Sequence, residues 1–154
     1  MMNAALSVAI EDRRWRQRVR APEALVRRAA RAALDGAART GEIRYALAGD
    51  SFLRELNRDF RGKDKPTNVL SFPDGTPGAL GDVALAFETC AAEARAQGKS
   101  LDAHLAHLVV HGTLHLLGWD HETIPEALAM EARERRALRR LRLADPYRAR
   151  KVRR

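Results

Sequence analysis

The spacing of three histidines in the second half of the chain constrains the fold more than any other feature. His111 and His115 are four residues apart, so on a helix they lie on one face, a single turn from each other. On an unbroken helix, His121 would point about 240° away from His115. Gly118 lies between them and can adopt the left-handed conformation that ends a helix. The segment therefore predicts a helix that ends near Gly118 and a turn that returns His121 to the other two histidines.

Three converging imidazoles predict a transition-metal site. We expect one zinc ion per chain, held by His111, His115 and His121. Three protein ligands leave a fourth position open, which is typical of catalytic zinc, so we expect His115 to belong to a catalytic centre. The residues alone also allow nickel, copper or iron, and single histidines often only pack or face solvent.

The residue after the first histidine separates this segment from the zinc proteases. Those enzymes place a general-base glutamate there, whereas this chain has Gly112.

Two residues near the histidine segment leave alternatives open. His107 is either a group that supports a metal ligand or a hydrogen-bonded core histidine, and Asp120 either orients a ligand ring or caps the turn.

Alternating and helical apolar patterns predict an α+β fold, with a small mixed four-stranded β-sheet packed against about five α-helices. We expect one domain over 1–146, with a mobile basic tail over 147–154. Strands three and four are close enough in sequence to pair as a hairpin, whereas the other strands need helical crossovers. The predicted strands cover 6–10, 42–48, 67–72 and 81–87, and the helices 22–38, 50–60, 88–97, 100–117 and 123–143.

Charge and apolar content restrict the partners of the chain. Lysine and arginine total 28 against 20 acidic residues, a formal net charge of +8, which favours a polyanionic partner such as RNA. The single cysteine, Cys90, cannot form an internal disulfide. There is no run of about 18 apolar residues and no signal-peptide pattern. We therefore expect a cytoplasmic protein without a membrane segment.

The histidine segment, H-G-T-L-H-L-L-G-W-D-H, resembles the H-G-x-L-H-L-x-G-[YW]-D-H signature of the YbeY family of bacterial endoribonucleases, also called rRNA maturation factors. Residues 57–73 resemble a second signature of that family, and Leu80-Gly81-Asp82-Val83 a third. Trp119 departs mildly from the pattern, since tyrosine is more common there.

The resemblance implies an α+β fold with a metal at the end of a channel. It also implies a zinc-dependent, single-strand-specific endoribonuclease. Such an enzyme would act in late maturation of the 3′ end of small-subunit rRNA and in ribosome quality control. Its partners would be rRNA, the small ribosomal subunit and ribosome-associated proteins. The metal ligands of the family correspond to His111, His115 and His121, and its functional arginine corresponds to Arg61, a candidate catalytic residue that could hold the scissile phosphate.

Two other functions stay open at this point. The chain could be a non-catalytic RNA-binding ribosome-assembly factor with a structural metal, or a metal hydrolase of small molecules or peptides. A basic channel that leads to the metal would favour RNA, whereas a closed apolar pocket would favour a small substrate.

Overall fold

A computed structural model describes residues 5–143 and shows a four-stranded mixed sheet in the order β1-β2-β4-β3. β1, β2 and β4 are parallel, whereas β3 pairs antiparallel with β4 and forms one edge of the sheet. The predicted pairing of the third and fourth strands is therefore confirmed. The strands are β1 (Leu6–Ile10), β2 (Glu42–Ala48), β3 (Val69–Pro73) and β4 (Ala79–Ala86).

The described residues form six helices, one more than predicted, and the α+β class is confirmed. They are α1 (Arg14–Arg18), α2 (Pro22–Leu34), α3 (Asp50–Arg61), α4 (Phe87–Ala96), α5 (Leu101–Leu116) and α6 (Ile124–Arg140). The additional helix, α1, is too short to show an apolar period in the sequence, since Trp15 is its single buried residue. The Trp15 indole N–H donates to the carbonyl of Ala48 at 2.9 Å and ties α1 to the end of β2.

Helix α5 lies at the centre of the molecule, in contact with the sheet, α2, α4 and α6. The sequence offers Ser100 as its cap, and the structure confirms this, because the serine hydroxyl accepts from the backbone N–H of Ala103 at 3.1 Å. Most of its side chains are buried, and each large apolar one contributes about 1.5–3 kcal/mol on burial. The helix that carries His111 and His115 is therefore firmly held.

Several predicted helix ends differ from the structure. Helix α2 stops at Leu34, four residues early, because Gly36 takes a left-handed φ of +77°. The sequence offers Asp50 or Ser51 as the cap of α3, but the helix begins at Asp50, with Gly49 in the cap position and no side-chain cap hydrogen bond. The Asp50 carboxylate instead accepts from the N–H and hydroxyl of Thr89.

Other boundaries shift by a few residues. Strand β3 begins at Val69 rather than at 67, and its first N–H is taken by the side chain of Asn68. Strand β4 covers Ala79–Ala86, and α6 ends at Arg140 rather than at 143. The sequence also predicts that Asp145-Pro146 stops the last helix; this stop and the basic tail over 147–154 lie outside the described residues. Within 5–143, no helix is both long enough and apolar enough to span a bilayer.

Candidate metal centre

The end of α5 forms the turn that the glycine predicts. Gly118 follows the last helical turn with φ +99°. Its N–H donates to the carbonyl of His115 at 3.0 Å, and the N–H of Trp119 donates to the carbonyl of Leu114 at 3.0 Å. This pair of bonds is a Schellman motif, which satisfies the last helix carbonyls and reverses the chain. The reversal places His121 beside the two histidines of the helix.

One ring nitrogen from each of His111, His115 and His121 lies within 4.8 Å of the others, so the three residues could hold one metal ion. The Nε2 atoms of His111 and His115 are 3.2 Å apart. Zinc–nitrogen bonds of about 2.0–2.1 Å in tetrahedral geometry would separate two ligand nitrogens by about 3.3 Å. The donor set and the spacing of this pair of nitrogens therefore fit a zinc ion.

The protonation of His115 also favours a metal. Burial lowers the pKa of His115 below its usual value, and the neighbouring His111 and His121 lower it further. A histidine binds metal through its neutral ring, so protons compete for the nitrogen only below its pKa. Competition between protons and the metal at His115 should therefore begin at a lower pH than it would at an exposed histidine.

Behind the histidines lies a buried carboxylate, Glu134, which the sequence reasoning did not identify. It is 1% exposed, and its Oε2 lies 3.0 Å from Nδ1 of His111. Its Oε1 lies 2.8 Å from Nε2 of His107. An ionised carboxylate at this position would accept a hydrogen bond from Nδ1 of His111, which leaves Nε2 of that ring for the metal position. His107 contacts the far oxygen of Glu134 and supports the ligand through that carboxylate.

We expect Glu134→Gln to weaken zinc binding by about 10- to 100-fold, the usual effect of losing a carboxylate behind a ligand histidine. The amide keeps the size of the side chain but loses its charge and can present an N–H to His111. Competition with a chromophoric chelator would measure the zinc affinity, and a melting curve would verify folding. Glu122→Gln is the matched control, because Glu122 is an exposed carboxylate that lines the same cleft. Equal zinc affinities for wild type and Glu134→Gln would contradict the role of Glu134 in supporting the ligand His111.

The described hydrogen bond of Asp120 fits the first of its two predicted roles, as a cap of the turn. Its carboxylate accepts from the backbone N–H of His121 at 2.8 Å. This bond fixes the backbone of the third ligand, whereas the carboxylate that reaches a ligand ring is Glu134.

Arg61 lies at the same cleft as the histidines, although fifty residues separate it from His111 in the sequence. It is the last residue of α3 rather than part of a loop, and Gly62 ends the helix with φ +67°. The Arg61 Nη2 donates to the carbonyl of Ser71 at 2.8 Å. The cleft has a volume of about 680 Å³ and is lined by Arg61, Lys63 and the three histidines among others.

Ser71 connects β3 to the ligand helix at Gly112. Its hydroxyl donates to the carbonyl of Gly112 at 2.9 Å. A Cβ added to Gly112 would lie 2.8 Å from a methyl carbon of Val83 and 3.0 Å from the Ser71 hydroxyl. Because side chains do not tolerate such distances, the glycine allows the close packing of α5 on the sheet. A protease-like glutamate would have no room at this position.

Comparison with known proteins identifies relatives over nearly the whole described chain. The sequence model of the family described as Endoribonuclease YbeY matches residues 8–142. An Endoribonuclease YbeY from Rhodopseudomonas palustris (strain ATCC BAA-98 / CGA009) is 50% identical over 151 residues, which cover 91% of this chain and 79% of the relative. One from Paramagnetospirillum magneticum is 55% identical over 116 residues, which cover 69% of this chain and 71% of the relative.

A solved structure agrees in fold. The solution structure of TM1509 from Thermotoga maritima aligns with a TM-score of 0.59 and 22% identity, covering 89% of this chain and 91% of that one. With a family match over 8–142 and relatives at about half identity, the chain belongs to the Endoribonuclease YbeY family.

Proposed function

We propose that this protein is a zinc-dependent endoribonuclease that cuts single-stranded RNA. The observation that carries the proposal is one cleft lined both by the three converging histidines and by Arg61. Two further facts support it. The relatives are named as endoribonucleases, and the formal charge of +8 suits a polyanionic substrate.

His111, His115 and His121 would hold the zinc, which when bound supplies an activated water and polarises a phosphoryl oxygen. Arg61 would bind the scissile phosphate and stabilise the charge that develops on its oxygens. The bond to the Ser71 carbonyl uses one guanidinium nitrogen and orients the group. Gly112, packed against the sheet, leaves no place for the protease glutamate, which argues against peptide hydrolysis.

The cellular role follows from the family resemblance. We infer that the enzyme acts in the cytoplasm on rRNA of the small ribosomal subunit, in late maturation of its 3′ end and in ribosome quality control. Ribosome-associated proteins would then direct it to its substrate.

Removal of zinc should abolish cleavage, and its return should restore it, because the activated water depends on the metal. Protein purified without a chelating resin would be analysed for metal, then treated with a chelator, dialysed and resupplied with zinc. The substrate would be a structured RNA with single-stranded ends. Loss and recovery of cleavage, with about one zinc per chain, would support the proposal. If zinc removal lowered the melting temperature and the RNA affinity, but no sample ever cleaved RNA, the protein would instead be an assembly factor with a structural metal.

A further inference from the structure

A second cleft adjoins the metal cleft on the other side of the turn that ends α5. It has a volume of about 370 Å³, within the usual size range of small-ligand sites, about 300–1,000 Å³. Gly118 and Trp119 line both clefts, so only this turn separates them. The remaining lining includes Arg39, after α2, and Arg133, on α6.

The charge of this second cleft is entirely positive. Its described lining residues include Arg39 and Arg133 but no carboxylate. Arg136 and Arg140, also on α6, both lie near the single carboxylate of Asp35, at 3.8 and 3.1 Å. Arg133 instead places its guanidinium 5.2 Å from the centroid of the Trp119 ring.

The cleft is lined by the guanidinium groups of Arg39 and Arg133 and by the indole of Trp119, and this combination suits a nucleotide. Arginine binds phosphate oxygens with two parallel hydrogen bonds. An aromatic face accepts a base or ribose without regard to sequence, and each stacked base contributes about 1–3 kcal/mol. The half-buried Trp119 lines both clefts and has the Arg133 guanidinium 5.2 Å from its ring centroid, so the indole forms part of the wall between them.

We propose that this second cleft is a nucleotide-binding subsite, which holds the RNA strand next to the phosphate that is cut. The inference rests on the proposed endoribonuclease function. One part of the strand contacts Arg61 and Lys63 in the metal cleft. The strand then crosses the Gly118–Trp119 turn, and its next phosphates contact Arg39 and Arg133. An RNA that is too short to reach both clefts gains nothing from the second one.

RNA binding with a chelator present tests this subsite without turnover. Fluorescence anisotropy would compare a labelled dinucleotide with a single-stranded RNA of about twelve nucleotides, since protein folds engage single strands over about 4–16 nucleotides. We expect Arg133→Ala and Arg39→Ala each to weaken binding of the longer RNA about tenfold, the effect of one lost charged hydrogen bond. The slope of log affinity against log salt should also fall by about 0.7 for each lost phosphate contact. Dinucleotide binding should stay unchanged.

Arg18→Ala is the matched control, because it removes the same charge from an exposed arginine of α1 that lines neither cleft. Tryptophan fluorescence gives an independent reading. Trp15 is fully buried, so quenching by the longer RNA should disappear in Trp119→Phe. The same quenching should also weaken in Arg133→Ala at equal RNA concentration.

The subsite would be overturned if Arg133→Ala and Arg39→Ala bound the longer RNA as tightly as Arg18→Ala does. The proposed function is tested separately, by cleavage with zinc. A wild-type protein that shows the length and arginine dependence but never cuts RNA would refute the nuclease and leave the subsite standing.

Discussion

Replacement of His115 by alanine should reduce zinc-dependent RNA cleavage by at least about 10³-fold, because the metal stabilises the transition state by several kcal/mol. His115 is central to the cluster. Its Nε2 lies 3.2 Å from that of His111, and its ring centroid lies 5.0 Å from that of His121. Two remaining imidazoles would bind zinc weakly. Single-turnover cleavage of a structured RNA, together with the zinc content of the purified variant, would measure the effect.

The matched control is His104→Gln. His104 lies on the same helix and is buried, but it pairs with Glu93 at 2.8 Å and is not part of the metal cluster. We expect this variant to retain one zinc per chain and its cleavage activity. Undiminished cleavage by His115→Ala would show that the nuclease is a contaminant or that the active centre lies elsewhere.

Replacement of Arg61 by alanine should lower kcat by about 10²–10³-fold, the usual effect of losing one donor to a transition-state oxyanion. The zinc content should not change, because the described contacts of Arg61 are to Ser71 and Phe72 and not to a histidine. Arg61→Lys should recover only part of the activity. An ammonium keeps the charge but lacks the planar fork that can bind Ser71 and a phosphate together.

Arg58→Ala provides the comparison for this experiment. Arg58 lies one turn earlier on α3, is exposed and pairs with Asp59 at 3.2 Å, so its removal should change kcat little. An Arg61→Ala enzyme with unchanged kcat would exclude the phosphate-binding role. Loss of zinc from that variant would show that Arg61 acts on the metal centre instead.

Sequence reasoning was most successful where the spacing itself has a geometric meaning. The i, i+4 histidines, the glycine at the helix end and the serine cap predicted the course of α5 and its turn, and the structure shows each of them. The order of strands and helices also followed from apolar periods. Helix α1 was missed because five residues with one buried tryptophan contain no period to detect.

Contacts between distant elements could not be predicted in the same way. Glu134 reaches His111 only because α6 packs on α5, and a sequence does not state which helices pack together. One signal was available, since a glutamate among the buried positions Met130, Ala137 and Leu138 is unusual. The position of Arg61 depends likewise on the packing of α3 at the sheet edge. A family resemblance suggested the residue, but not that Ser71 would hold it.

Ser71 links two parts of the cleft that belong to different elements. Its hydroxyl binds the carbonyl of Gly112 on the ligand helix, and its own carbonyl binds Arg61 at the end of α3. One residue of a strand thus links the histidine helix to the arginine through two hydrogen bonds. Because these bonds are present in the protein without RNA, substrate binding need spend less free energy on ordering the groups. Loosening of β3 would therefore slow the reaction without removing any group that touches the substrate.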